Sequence, residues 1–329
     1  MAYIEPGDEV ILLEPFFDQY GFSMAVADHQ LTSTRYLSNI QMPGGVIKYV
    51  PLRPPKNGSI RKTSAADWTF DWDTLEQTIS PKTRMIVVNT PHNPVGRIFT
   101  ADELKFIADL CVKNNIILVS DEVYDRLYYK DFVRTATISP EAAKLTLTVG
   151  SAGKNFYATG WRVGWVIGDP ALIAPVTMAH TRICYSSPSL LQEAAAIGFE
   201  RADELGFWDQ TRREMQAKMA RFCAVFDELG IPYSEPDGGY FVLANLGRVQ
   251  MPKDYEFPPQ VKDRPRDFKL AWWMIQELGL AAIPPTEFYT EQNRLVAEDW
   301  MRFAVCKPDE VLEDAKDRLR RLKPYLADP

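Results

Sequence analysis

The chain has 329 residues, 46% of them hydrophobic, and a net charge of −7. That is enough apolar material for a large core and enough length for two domains, and neither disorder nor a polyanionic partner is indicated. Lys and Arg are dispersed, the three histidines stand apart from one another and from every Cys, and no apolar stretch is long enough to span a membrane, so no nucleic acid, metal site or membrane is expected. Cys111, Cys184, Cys223 and Cys306 have neither pairing nor ligand spacing, the pattern of reduced thiols in a cytoplasmic protein. In chain order, a strand is expected just after Met1–Glu5, and the apolar run Met85–Val88 reads as a buried strand. Asn89-Thr90-Pro91-His92-Asn93-Pro94-Val95-Gly96 ends it in a tight irregular loop, because two prolines and a glycine cannot continue a ladder. Thr100 with Glu103 forms a capping box that opens a helix to about Asn114. Ile116–Val119 and Leu145–Val149 read as further buried strands.

The strand–helix–strand run from Met85 to Val119 is a βαβ unit, which predicts an α/β fold with a mainly parallel sheet. Helical segments are expected from Pro170 to Glu204, and a long helix from Phe207 to Leu229 bridges into a smaller α+β domain. That domain has strands near Tyr240–Ala244 and Met301–Val305 and helices near Phe268–Leu278 and Pro308–Leu322. The proline- and charge-rich stretch Met251–Arg266 reads as a loop or flap. The domain limits are accordingly 1–206, the bridge 207–229, and 230–329.

Loops at the carboxyl ends of parallel strands carry ligand sites, and the polar residues cluster there. After Leu145–Val149 comes Ser151-Ala152-Gly153-Lys154-Asn155-Phe156-Tyr157-Ala158-Thr159-Gly160-Trp161-Arg162. A lysine between small residues at the end of a buried strand is costly as plain structure unless paired or neutralised. A lysine that forms a Schiff base gains from that desolvation. Ser151 and Arg162 offer a hydroxyl and a permanent cation to a phosphate. Together they suggest a phosphorylated aldehyde cofactor, pyridoxal phosphate; a basic loop on a solvated face is the plain alternative. Ser120-Asp121-Glu122-Val123-Tyr124 ends another strand. Asp121 is either a cap for the next element or the acid that keeps a pyridine nitrogen protonated, with Asn93 and Tyr124 on the ring's phenolic oxygen.

These motifs, with Pro6-Gly7-Asp8-Glu9-Val10, Glu14-Pro15-Phe16-Phe17-Asp18, Gly238-Gly239-Tyr240-Phe241 and Met301-Arg302-Phe303, resemble a class I (fold type I) pyridoxal-phosphate aminotransferase. Within that class the resemblance is to the kynurenine aminotransferase, glutamine transaminase K or cysteine-S-conjugate β-lyase group. It implies that Lys154 holds the cofactor and shuttles the substrate proton. It further implies that Asp121 pairs with the pyridine nitrogen, Asn93 and Tyr124 bond the ring oxygen, and Ser151 and Arg162 hold the phosphate. Phe17 would stack on the ring and Arg302 would take the substrate carboxylate. Tyr185 matches a position that reaches a partner subunit's pocket in a homodimer, with ordinary helix packing as its alternative. The implied activity is transamination of kynurenine or a related aromatic or sulfur amino acid with a 2-oxo acid. A C–S β-lyase and a catalytically inactive fragment are the alternatives.

Two departures from that pattern stand out. The chain starts where family members are already well inside the large domain, so an N-terminal arm, a strand and a Gly-rich phosphate turn are expected upstream, and a transit peptide there would redirect the protein to mitochondria. The family's Phe-Phe-Asp-x-Tyr also runs directly into a sequence like Leu37-Ser38-Asn39-Ile40, whereas here Gly21–Arg35 stands between Tyr20 and a second Tyr36. Reverse translation places GTAY at Tyr20 and AG at Arg35, which suggests a retained in-frame intron; a true surface-loop insertion is the alternative, tolerable because loop cost grows slowly with length.

Overall fold

The computed structural model describes residues 2–16 and 39–327. Phe17 and the insertion at Gly21–Arg35 lie outside the described residues. The strands are β1 (Glu9–Glu14), β2 (Val46–Pro51), β3 (Thr63–Ser64), β4 (Thr83–Asn89), β5 (Ile117–Asp121), β6 (Thr146–Ser151), β7 (Gly164–Ile167), β8 (Tyr233–Glu235), β9 (Phe241–Asn245) and β10 (Trp300–Ala304). The helices are α1 (Trp72–Thr78), α2 (Ala101–Asn114), α3 (Pro140–Leu145), α4 (Ala152–Asn155), α5 (Pro170–Ile183), α6 (Ser189–Ala202), α7 (Phe207–Leu229), α8 (Pro259–Lys262), α9 (Arg266–Trp273) and α10 (Asp309–Arg320).

The main sheet has the order β2-β1-β4-β5-β6-β7 among the described residues. Its pairs are parallel from β2 through β6. Only β7 runs antiparallel, against β6. The register β4 to β5 sets Asn89 opposite Asp121, and β5 to β6 sets Asp121 opposite Val149. The carboxyl ends of three neighbouring strands therefore open on one edge, where a doubly wound sheet binds ligands. Ile11, Ile86 and Leu118 bury against Leu104 and Ile107 of α2. The Thr100 capping box is formed in both directions, with Glu103 N–H on the Thr100 hydroxyl and Thr100 N–H on the Glu103 carboxylate. The expected βαβ unit is present as read.

The second sheet, β10-β9-β8-β3, packs Val242, Met301 and Phe303 against Phe222 and Phe226 of α7. The long helix α7 spans Phe207–Leu229, the limits the sequence predicts. Short β3 comes from the early part of the chain yet pairs with β8 in this second sheet, a crossing that two residues of strand do not reveal in sequence. Three other elements differ from expectation. The helical stretch after Pro170 breaks between Ile183 and Ser189. The helix near Phe268 ends at Trp273 and continues as a π turn to Leu278. The proline-rich stretch includes the short helix α8, which Pro259 starts from the first position, where its missing N–H costs nothing.

Candidate active site

Lys154 stands on the four-residue helix α4, directly after β6. Its ammonium donates to the Tyr240 hydroxyl at 3.3 Å. It lies 5.7 Å from the Tyr124 ring centre and 5.9 Å from that of Tyr240. Burial holds its pKa below the ordinary lysine value; Cys306 and Asp121 oppose that shift, and Arg302 and Arg162 add to it. Those contributions place all four groups within electrostatic reach of one amine. Ser151, Gly153, Lys154, Thr159, Arg162 and Gly164 line a cavity of about 130 Å³. Arg162 is reached by a left-handed backbone turn at φ 56° and donates to the Thr159 carbonyl at 3.0 Å.

Asn93 and Arg302, which sequence placed 209 residues apart, meet here. The Arg302 guanidinium donates to Asn93 Oδ1 at 2.8 Å, and the two residues are 6% and 3% exposed. The guanidinium also lies 4.3 Å from the ring centre of Phe241 and 4.9 Å from that of Phe288, an apolar slot around its planar group. With Asn93 Oδ1 taken, its Nδ2 remains a donor. Asp121 ends β5, and its Oδ1 accepts the Val123 N–H at 3.3 Å. The local capping contact is thus present. Tyr124 is buried, and burial pushes its phenol well above the ordinary range.

Tyr185 does not join this cluster. It follows α5 at φ 63° and is 80% exposed, so ordinary packing within the subunit does not account for it. Sequence reasoning missed several supporting residues. Asn89 donates to the Asp121 carbonyl at 2.9 Å and accepts from the Asn93 N–H at 2.8 Å, stitching two site loops together. Asn155 donates to Asp125 at 3.1 Å, and Arg134 bridges Asp125 and Glu122 at 2.6 and 3.1 Å. These contacts fix α4 against the segment after β5. The usable signal was polar side chains directly after apolar strands. Tyr240 lies within the Gly238-Gly239-Tyr240-Phe241 motif, where nothing in the sequence marks it as a site residue.

The model of the family "Aminotransferase class I and II" matches residues 1–319. The probable kynurenine–oxoglutarate transaminase of Saccharomyces cerevisiae is 47% identical over 99% of this chain and 70% of its own length. Kynurenine–oxoglutarate transaminase 3 of Rattus norvegicus is 34% identical over 96% of this chain and 66% of its own length. Among solved structures, a putative kynurenine aminotransferase from Saccharomyces cerevisiae superposes with a TM-score of 0.92 at 46% identity, covering 99% of this chain and 73% of that one. An N-succinyldiaminopimelate aminotransferase from Mycobacterium tuberculosis gives 0.80 at 29% identity, covering 98% and 73%.

Proposed function

The chain belongs to the aminotransferase class I and II family, and on that footing we propose that it moves the amino group of kynurenine, or of a related aromatic or sulfur amino acid, to a 2-oxo acid with pyridoxal 5′-phosphate. Relatives named as kynurenine–oxoglutarate transaminases support the substrate class. The observation that carries the reading is the convergence of a half-buried lysine, a carboxylate and a slotted guanidinium from three distant elements.

The donor set fits the cofactor. The cavity beside Lys154 presents a hydroxyl, an ammonium and a guanidinium, all suited to a phosphate. Asp121, at the end of the central strand β5, is the acid for a pyridine nitrogen. Pyridoxal phosphate, when bound, supplies an aldehyde that takes the amino group and a protonated ring that draws electrons from the substrate Cα. Ser151 and Arg162 would hold its phosphate, Lys154 its aldehyde carbon, and Tyr124 and Asn93 Nδ2 its ring oxygen. Phe17 is the candidate for the ring face.

The rest of the work falls to the chain itself. Arg302 receives the substrate carboxylate through a bidentate fork, so amino donor and oxo acceptor use one anchor in turn. Lys154, whose pKa burial lowers, removes the Cα proton and returns it at the cofactor's aldehyde carbon, on the far side of the amino nitrogen. Phe241 and Phe288 keep water from the carboxylate pair.

We assign residues 1–206 to the cofactor domain, 207–229 to the bridge and 230–329 to the small domain, with β3 contributed across. The site is proposed to work in a homodimer, with Tyr185 reaching the partner's pocket. The four free thiols support a cytoplasmic compartment. Among the described residues no helix is long and apolar enough to cross a membrane.

The test supplies the purified chain with pyridoxal phosphate and compares kynurenine plus 2-oxoglutarate with a cysteine S-conjugate. Glutamate formation from the first pair is expected. Turnover of the S-conjugate alone, with release of thiol and pyruvate, makes the protein a C–S β-lyase; turnover of neither rejects catalysis.

A further inference from the structure

Tyr240 enters the site from the second sheet, immediately before β9. The two residues ahead of it make that entry possible. A Cβ at Gly238 would lie 2.7 Å from the Leu127 carbonyl and 2.9 Å from Pro91, and Gly239 has φ +74°. The segment is then bonded to both site loops. Gly238 N–H donates to the Gly96 carbonyl at 3.0 Å, and Gly239 N–H donates to the Leu127 carbonyl at 2.7 Å. The Tyr129 hydroxyl donates to the Gly239 carbonyl at 2.6 Å. On its other side the Tyr240 carbonyl accepts the Val305 N–H at 2.8 Å, from the chain just beyond β10. A side chain fixed by so many main-chain bonds has little freedom, and Tyr240 is only 6% exposed.

Its hydroxyl ends at Lys154, 3.3 Å from the amine. Its ring stands edge-on to Tyr124, with centres 5.2 Å apart and an angle of 89°. Tyr240 therefore contacts both the amine and Tyr124, the phenol assigned to the cofactor ring.

Resting on the assignment of Lys154 above, we propose that Tyr240 is a positioning residue for the transamination lysine, its hydroxyl holding the amine in place whenever the amine is not bonded to the cofactor. A buried amine has few places to rest, and a phenol oxygen that accepts from it stabilises the charged form. The other charged or titratable groups acting on the amine are Cys306, Asp121, Arg302 and Arg162. Tyr240 gives the amine a direct hydrogen bond and packs its ring edge-on against Tyr124.

The experiment is competitive acylation with acetic anhydride on the cofactor-free full chain, read at the Lys154 peptide by mass across pH. In Y240F the amine loses its acceptor, so its labelling midpoint moves to lower pH and labelling below the midpoint rises about three- to tenfold, tenfold being one pH unit of midpoint. In the loaded enzyme, Y240F should lower kcat roughly tenfold and leave the amino-donor KM within about twofold, because the substrate anchor is untouched. Should Y240F not unfold cooperatively, Y240M also removes the hydroxyl and is read by the same criterion. A hydroxyl-free variant whose Lys154 labels with the parent's pH dependence overturns the proposal, whatever its kcat. Labelling needs no turnover, so it reads the Tyr240–Lys154 contact even if the proposed transamination fails.

Discussion

Two residues bear most of the functional reading, and each yields a sharp expectation. Lys154→Ala should abolish both the spectral shift that pyridoxal phosphate undergoes on joining the lysine and transamination, since one amine is anchor and proton carrier. Near-normal turnover in that variant would sink the assignment of the motif. Arg302→Lys tests the carboxylate anchor. An ammonium cannot form a planar fork or fill the slot between Phe241 and Phe288 in the same way. The change should cost on the order of 2–3 kcal/mol, about two decades in kcat/KM, for amino and oxo acids together. Cofactor affinity should hold, and an unchanged kcat/KM would make Arg302 structural. Lys154 and Asp121 stand out in sequence because a charge at the end of an apolar strand is expensive and asks for an explanation, whereas Arg302 is singled out only by the family resemblance. Asn89, Asn155 and Tyr240 carry no such penalty. Their importance lies in partners set by sheet register and by a 3.3 Å approach across 86 residues, neither of which has a local signature.

The elements around the site are tied together by buried carboxylates, and one of them offers a pH test. Asp267 on α9 accepts the Thr286 N–H and hydroxyl and the Phe268 N–H, each at 2.9 Å, fixing the segment that carries Phe288. Burial pushes its carboxyl up to about 7, against those hydrogen bonds. The unfolded carboxyl titrates near ~4, so between about pH 4 and 7 the folded chain holds a proton that the unfolded chain has lost. Stability from this group is full at the acid end of that window and falls as pH rises through it. Glu14, also raised by burial, acts in the same direction. Buried His92, lowered to about 3, opposes both, because acid must charge it only on unfolding. Asp267→Asn isolates the one contribution: its urea midpoint should decline less than the parent's between pH 5 and 7.5. Equal declines would mean that Asp267 is already ionised when folded. At this scale the sequence was informative where a capping box marks the start of a helix, as in α2. It was silent on β3, β7 and β8, which are short and defined by what they pair with.

At the scale of the molecule, the conspicuous surface is the one formed by α5, α6 and the turn between them. Helix α5 is apolar in composition yet buries none of its residues. Met178, Ile183, Tyr185 and Leu190 are all exposed there, Leu190 to 85%. Exposed apolar side chains gathered on these two helices and their turn mark an association surface, and the proposed homodimer would cover it. The same face presents Tyr185 outward at positive φ, a side chain held away from its own core. If a second copy is the occupant, charge placed on the face should separate the subunits, because an ammonium-free apolar contact gives a carboxylate nothing to pair with. Met178→Glu combined with Leu190→Glu should therefore shift sedimentation from dimer to monomer at micromolar concentration. Tyr185→Ala should leave the dimer intact and reduce kcat/KM for aromatic donors about tenfold, through lost contact in the partner's pocket. A parent chain that sediments as a monomer, with full activity, would remove the second subunit from the site altogether and leave Tyr185 without a role in it.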